Sequence, residues 1–146
     1  LGEMEAAGVA RDTITYSTVI ESLPASERDA ARALCKEATA KGMYQVWNAR
    51  GELDLHRMSA KVSNALLDMT MRQFAEGERA IGDLAVVTGQ GHGSGSDGPV
   101  LMDSTRAFLR ERFDPPLKIV DVPNNPGMFV IQEASIRCWV ENVNGS

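Results

Sequence analysis

Asp54 and His56 stand two residues apart in Leu53-Asp-Leu-His56, a spacing that puts both side chains on one face of an extended segment. A carboxylate beside an imidazole sets its tautomer or holds it cationic, which suits general acid/base work. Further on, Thr88-Gly-Gln-Gly-His-Gly-Ser-Gly-Ser-Asp-Gly98 follows the apolar run Leu84-Ala-Val-Val87 and precedes a helical pattern that begins near Leu101. Its five glycines let the backbone take positive φ and approach a ligand closely. A loop of this kind ahead of a helix gathers several N–H donors on one anion, usually a phosphate. His92 offers a second imidazole there, and Arg106 a cation for charge developing on phosphoryl oxygens. Acid/base groups beside phosphate donors suit cleavage of a phosphodiester. Blander readings use the same residues. A glycine-serine run also makes a floppy linker, and an Asp/His pair also pins a strand to the next helix without chemistry.

The elements that must bring these groups together follow from periodicity. Residues 52–56 alternate as a short strand with Leu53 and Leu55 inward, and Leu84 to Thr88 is apolar and β-branched enough to be a central strand. Both motifs then leave the same ends of neighbouring strands, where open α/β sheets place their sites. Ser59 is the N-cap of a helix reaching Glu76, with Val62, Ala65, Leu66 and Met69 as its buried stripe and Gly77 as its stop. Leu101, Thr105, Phe108 and Leu109 line a second helix that ends before Pro115-Pro116. Leu117 to Val122 is a third strand, Asn124-Asn-Pro-Gly127 a turn, and Met128 to Ile131 a fourth, antiparallel strand. The cluster Ile136-Arg-Cys-Trp-Val140 is expected to pack on the sheet edge. The order β-α-β-α-β-β predicts an α/β fold, a compact two-layer sandwich over residues 46–146.

Ahead of it, residues 1–45 read as an α-helical hairpin repeat. Tyr16, Val19, Ile20 and Leu23 recur at helical spacing, Pro24-Ala-Ser26 makes a break, and Ala30, Ala31, Leu34 and Ala38 stripe a helix that Gly42 ends.

The totals bound the function. With 43% apolar and 24% charged residues, the 146-residue chain is composed like a globular protein of one domain plus a short extra unit. A net charge of −5 argues against coating nucleic acid through bulk electrostatics, though a local basic patch stays open. Cys35 and Cys138 match no metal spacing and are expected to be reduced and buried. No Asp/Glu cluster has ligand geometry, so no resident cofactor is expected, with magnesium a possible addition for a nuclease. No apolar run has the length to span a bilayer, so no membrane insertion is expected. The chain opens without Met or a signal peptide and so reads as a piece of a longer one.

Leu53-Asp-Leu-His56 with Ser59, then Val87-Thr-Gly-Gln-Gly91, resembles the Small MutS-Related (Smr) domain, and Asn125-Pro-Gly-Met-Phe-Val130 is similar to that family's closing strand. Met4-Glu-Ala-Ala-Gly-Val9 followed by Asp12-Thr-Ile-Thr-Tyr-Ser-Thr-Val-Ile20 resembles the junction between two pentatricopeptide repeats, with Ser17 near the base-selecting position. One repeat cannot hold RNA alone, because solenoid units bury their faces against neighbours, so here it is read as a cap packed on the next domain or the end of a longer array. Together the two resemblances imply the C-terminus of an organellar protein of chloroplast or mitochondrion. They imply a module that binds RNA or DNA, in some members an endonuclease. Asp54, His56 and His92 would then be catalytic, while Arg57, Lys61, Thr88, Gly89, Gly91, Gly93, Ser94, Arg106 and Arg110 would hold nucleic acid. The chain departs from the family pattern at Arg57, usually Gly, at Val62-Ser-Asn64, where an acidic residue is common, and at His92, one position early with Gly93 in its usual place. The reading from another class is a non-catalytic structural subunit of a larger organellar assembly, whose partners are proteins.

Overall fold

A computed structural model describes residues 14–56, 58–89 and 98–145. The fold is mixed α/β. A helix over 14–22 (α1) leads through a short 3₁₀ turn at Ala25–Glu27 into α2 (Arg28–Ala40). After these come β1 (Leu53–Asp54), α3 (Ala60–Ala75), β2 (Leu84–Val87), α4 (Gly98–Glu111), β3 (Ile119–Val122), β4 (Asn125–Ile131) and α5 (Glu133–Asn144). The strands form a sheet in the order β1-β2-β4-β3, with β1 parallel to β2 and both other pairings antiparallel. β2 is therefore internal, as its continuous apolar sequence predicts.

Register follows from alternation. Leu53, Leu55, Leu84, Val86, Phe129 and Ile131 are buried, and the residues between them in each strand are half-buried. A one-residue slip would turn that whole set outward. α3 starts where expected: the Ser59 hydroxyl accepts from the Val62 N–H. It is buried beyond its predicted stripe, at Leu67, Thr70 and Met71 as well, because α2, α4 and α5 all pack against it.

Three expectations change. The cluster at Ile136–Val140 lies not on a sheet edge but in α5, whose Ile136, Trp139 and Val140 are buried beside α3. Their spacing of three, four and (to Val143) seven is helical, and the Asn144 amide anchors the helix end by donating to the Ala75 carbonyl oxygen. The β3–β4 turn falls at Pro123-Asn124, with Asn124 at φ 64°, so Asn125-Pro-Gly127 belongs to the strand. Finally, Cys138 is exposed, on the outer side of α5, and only Cys35 is buried. Burial, helped by the negative charge of Asp68, pushes the Cys35 thiol up to about 12. At pH 8 a thiol reagent should therefore modify Cys138 in the native protein and reach Cys35 only after denaturant is added. Prompt modification of both would show that α2 opens readily.

The hydrophobic core is continuous across the boundary expected near residue 45. Ile20, Cys35, Ala38 and Tyr44 belong to the same buried cluster as Leu55, Leu66 and Phe129.

Candidate active site

β1 is short but held on both sides. The Asp54 N–H donates to the Val46 carbonyl oxygen (2.6 Å) and the Leu55 N–H to that of Val87 (2.7 Å). Its chain then turns, the Met58 N–H donating to the Leu55 carbonyl oxygen at 3.1 Å, before Ser59 caps α3. The Asp54 carboxylate organises the turn. Oδ1 accepts from the His56 backbone N–H at 3.1 Å and lies 2.5 Å from His56 Nδ1. With Nδ1–H donated to the carboxylate, Nε2 is the nitrogen left for chemistry. The two groups are unequally sheltered: the Asp54 side chain is 24% exposed and that of His56 47%. This is an orienting carboxylate behind an imidazole open to solvent, the arrangement general acid/base work requires.

The start of the glycine loop reaches the same place. Gly89 has φ 88°, and a Cβ built on it would stand 3.3 Å from His56 Cβ. Gly127 of β4 completes the junction, its carbonyl oxygen accepting from the Thr88 N–H (2.8 Å), the Gly89 N–H (3.2 Å) and the Thr88 hydroxyl (3.3 Å). The ends of β1, β2 and β4 thus converge on the Asp54–His56 pair. Gly89→Ala combines a left-handed backbone with a crowded contact on His56. It should cost about 1–2 kcal/mol and displace the imidazole. Denaturant titration checks the first effect and the NMR shifts of the His56 ring protons the second, and wild-type values in both would show that the contact with His56 is slack.

The remaining candidate residues divide. Thr88 and Gly89 shape the junction but do not supply phosphate donors: Thr88 is buried, and both amides are already donated to Gly127. Lys61 is held away, its ammonium donating to the carbonyl oxygens of Glu21 (2.9 Å) and Leu23 (3.1 Å), where it closes the end of α1. Arg106 pairs with Asp121 and lies over the Phe129 ring, 5.9 Å from its centroid. Arg110 is exposed on the last turn of α4. Ser17 bonds the Tyr44 hydroxyl at 2.7 Å. Arg57, Gly91, His92, Gly93 and Ser94 lie outside the described residues, as do the fragment at Met4 to Val9 and residues 10–13.

No family model, curated protein or solved structure matches the chain.

Gly127 is the site residue that the sequence pattern hid. It reads as turn chemistry in Asn124-Asn-Pro-Gly127, and only its likeness to a closing strand points to its place opposite the glycine loop. Among the described residues no group of three or more His, Cys, Asp or Glu side chains is placed to hold a metal ion, and no helix is long and apolar enough to cross a membrane.

Proposed function

We propose that the chain is a nucleic-acid-binding module, for RNA before DNA on the family resemblance alone, whose Asp54–His56 pair equips it for phosphodiester cleavage as an endonuclease. The observation that carries this reading is the 2.5 Å contact between Asp54 Oδ1 and His56 Nδ1, beside the first glycine of the loop. In this reading His56 Nε2 takes the proton of the attacking hydroxyl or water as its oxygen bonds to phosphorus, Asp54 stabilises the imidazolium that forms, and the leaving oxygen, as its bond to phosphorus breaks, takes a proton from water. The charge on the phosphate needs donors that Thr88 and Gly89 do not supply, so they must come from later in the loop or from cations brought up with substrate. On the family resemblance, the setting is organellar gene expression.

A second reading has its own support. The net charge is −5, and two of the four cations named as phosphate partners, Lys61 and Arg106, are engaged within the fold. That favours a structural subunit of a larger organellar assembly, docked through protein contacts. One experiment separates the two. Labelled single-stranded RNA and supercoiled DNA are incubated with the protein, with and without magnesium, beside the Asp54→Ala/His56→Ala double variant. Cleavage that the double variant lacks supports the nuclease and identifies its substrate. Binding without cleavage leaves a recognition module. Neither binding nor cleavage supports the scaffold.

A further inference from the structure

The sheet has an apolar face on the side away from the core. Leu53, Leu55, Leu84, Val86, Phe129 and Ile131 point into the core, and side chains alternate across a strand, so Asp54, Ala85, Val87, Met128 and Val130 point the other way. The four apolar ones are half-buried and lie outside both the core and the half-buried residues packed on it. In β3, Ile119 packs on the core and Asp121 turns to Arg106, while Val120 between them is 43% exposed on the outer face. Pairing arranges these residues in two rows. Asp54, Val87 and Met128 stand abreast across β1, β2 and β4, and Ala85, Val130 and Val120 across β2, β4 and β3.

The first row starts at the candidate site itself, since Asp54 is the residue that holds His56. Asp54 is also the only charged side chain in the two rows. Other charges border the far end, where Asp83 precedes β2, Lys118 precedes β3 and Glu133 follows β4, its N–H donated to Asp83 Oδ1 at 2.7 Å. Size decides what this face fits. Four strands about 4.8 Å apart, each with about four residues in the sheet, give a patch of about 14 by 13 Å. That is roughly 200 Å², a fraction of the roughly 800 Å² per partner that a standard protein interface covers. A narrow ligand that reaches His56 fits better than a second folded surface. Lys61 and Arg106 are engaged within the fold, so phosphate contacts alone are a weak source of affinity for such a ligand. The remaining surface of a nucleic acid is the flat, apolar faces of its bases, which a duplex keeps inside its own stack.

Resting on the nucleic-acid reading above, we propose that this face seats the unpaired bases of a single strand whose phosphodiester lies at His56. One base covers Val87 and Met128, whose thioether makes favourable contact with rings, and the next covers Val130 and Val120. The substrate is then single-stranded, and its affinity depends on its bases more than on the salt concentration.

The test is fluorescence anisotropy of a short labelled single strand with the whole chain carrying Asp54→Ala/His56→Ala, so that the strand survives. The same strand without bases, and the matching duplex, should each bind at least about tenfold more weakly, as expected when base contacts supply the affinity. Val130→Tyr, which puts a ring at the middle of the face, should tighten binding of the unpaired strand about tenfold, and Val130→Asn should weaken it about fivefold. Equal binding of the abasic strand, or no change in either folded variant, overturns this proposal and leaves the Asp54–His56 reading standing. Absence of binding by every nucleic acid overturns both. A dimer in sedimentation that Val130→Asn dissociates assigns the face to a second copy of the chain and overturns the proposal.

Discussion

His56→Ala should lower the proposed cleavage rate by about 10² to 10⁴-fold, the usual contribution of a positioned acid/base group, if the Asp54–His56 pair does the chemistry, while binding of the intact strand changes by no more than about twofold. The structure separates the two effects. The imidazole is 47% exposed, and the residue bonds Asp54 through both Nδ1 and the backbone N–H. Loss of the side chain therefore opens no cavity and leaves no buried donor unpaired, so the melting temperature should hold. Asp54→Asn is the companion variant. It keeps the shape and an acceptor for Nδ1–H but loses the charge that stabilises the imidazolium, and its amide can also donate to Nδ1 and select the other tautomer. Its loss in rate should be substantial, again with little change in binding. Parallel loss of binding and cleavage in His56→Ala would make the residue a contact for nucleic acid, and an unchanged rate would remove the pair from the chemistry.

How much of this is legible in the sequence depends on the range of the interaction. The Asp54–His56 pair is local: two residues apart in a strand, with one carboxylate ordering the turn, so spacing alone places them together. The convergence of β1 and β2 is also legible, because parallel neighbours joined by one helix must present the same ends. α5 is readable too, from the spacing of Ile136, Trp139, Val140 and Val143, but a short apolar run suggests sheet packing until its period is counted. What spacing does not carry is the destination of a long side chain. Lys61 and Arg106 look like phosphate ligands in sequence, and their partners, the end of α1 and Asp121, come from other elements. Thr88 and Gly89 fail as phosphate donors for the same reason, since Gly127 that takes their N–H groups arrives from 39 residues away in β4. Asp68 is the clearest case. It sits among the buried residues of α3, where a charge breaks the pattern, and only the folded hairpin supplies its counter-ions.

Asp68→Ala should destabilise the protein by about 2–3 kcal/mol, somewhat less than the roughly 3–5 kcal/mol that breaking a fully buried ion pair costs. The Asp68 side chain is 3% exposed and accepts from Arg28 Nε (2.9 Å), Arg28 Nη2 (3.1 Å) and Arg32 Nη1 (3.2 Å). The arginines are less sheltered, at 33% and 22%, and Arg28 also lies over the rings of Phe108 and Phe113 and donates to the Arg112 carbonyl oxygen. Water and these remaining contacts soften the loss. Urea titration should show a lower midpoint with an unchanged slope. The opening should concentrate where α2 meets α3, so Cys35 should react with a thiol reagent faster in Asp68→Ala than in the wild type, while amides of β2 keep their relative protection. Arg28→Met/Asp68→Leu should recover much of the stability, because the cost lies in a charge left without its partner and not in the absence of attraction. Arg32 then still has Asp29 at 2.8 Å. If Asp68→Ala stays within about 0.5 kcal/mol of the wild type, the level of an ordinary surface substitution, then apolar contact alone joins α2 to α3. If the double variant is as unstable as the single one, the three-residue ion cluster contributes net stability, and the lost attraction rather than the stranded charge sets the cost.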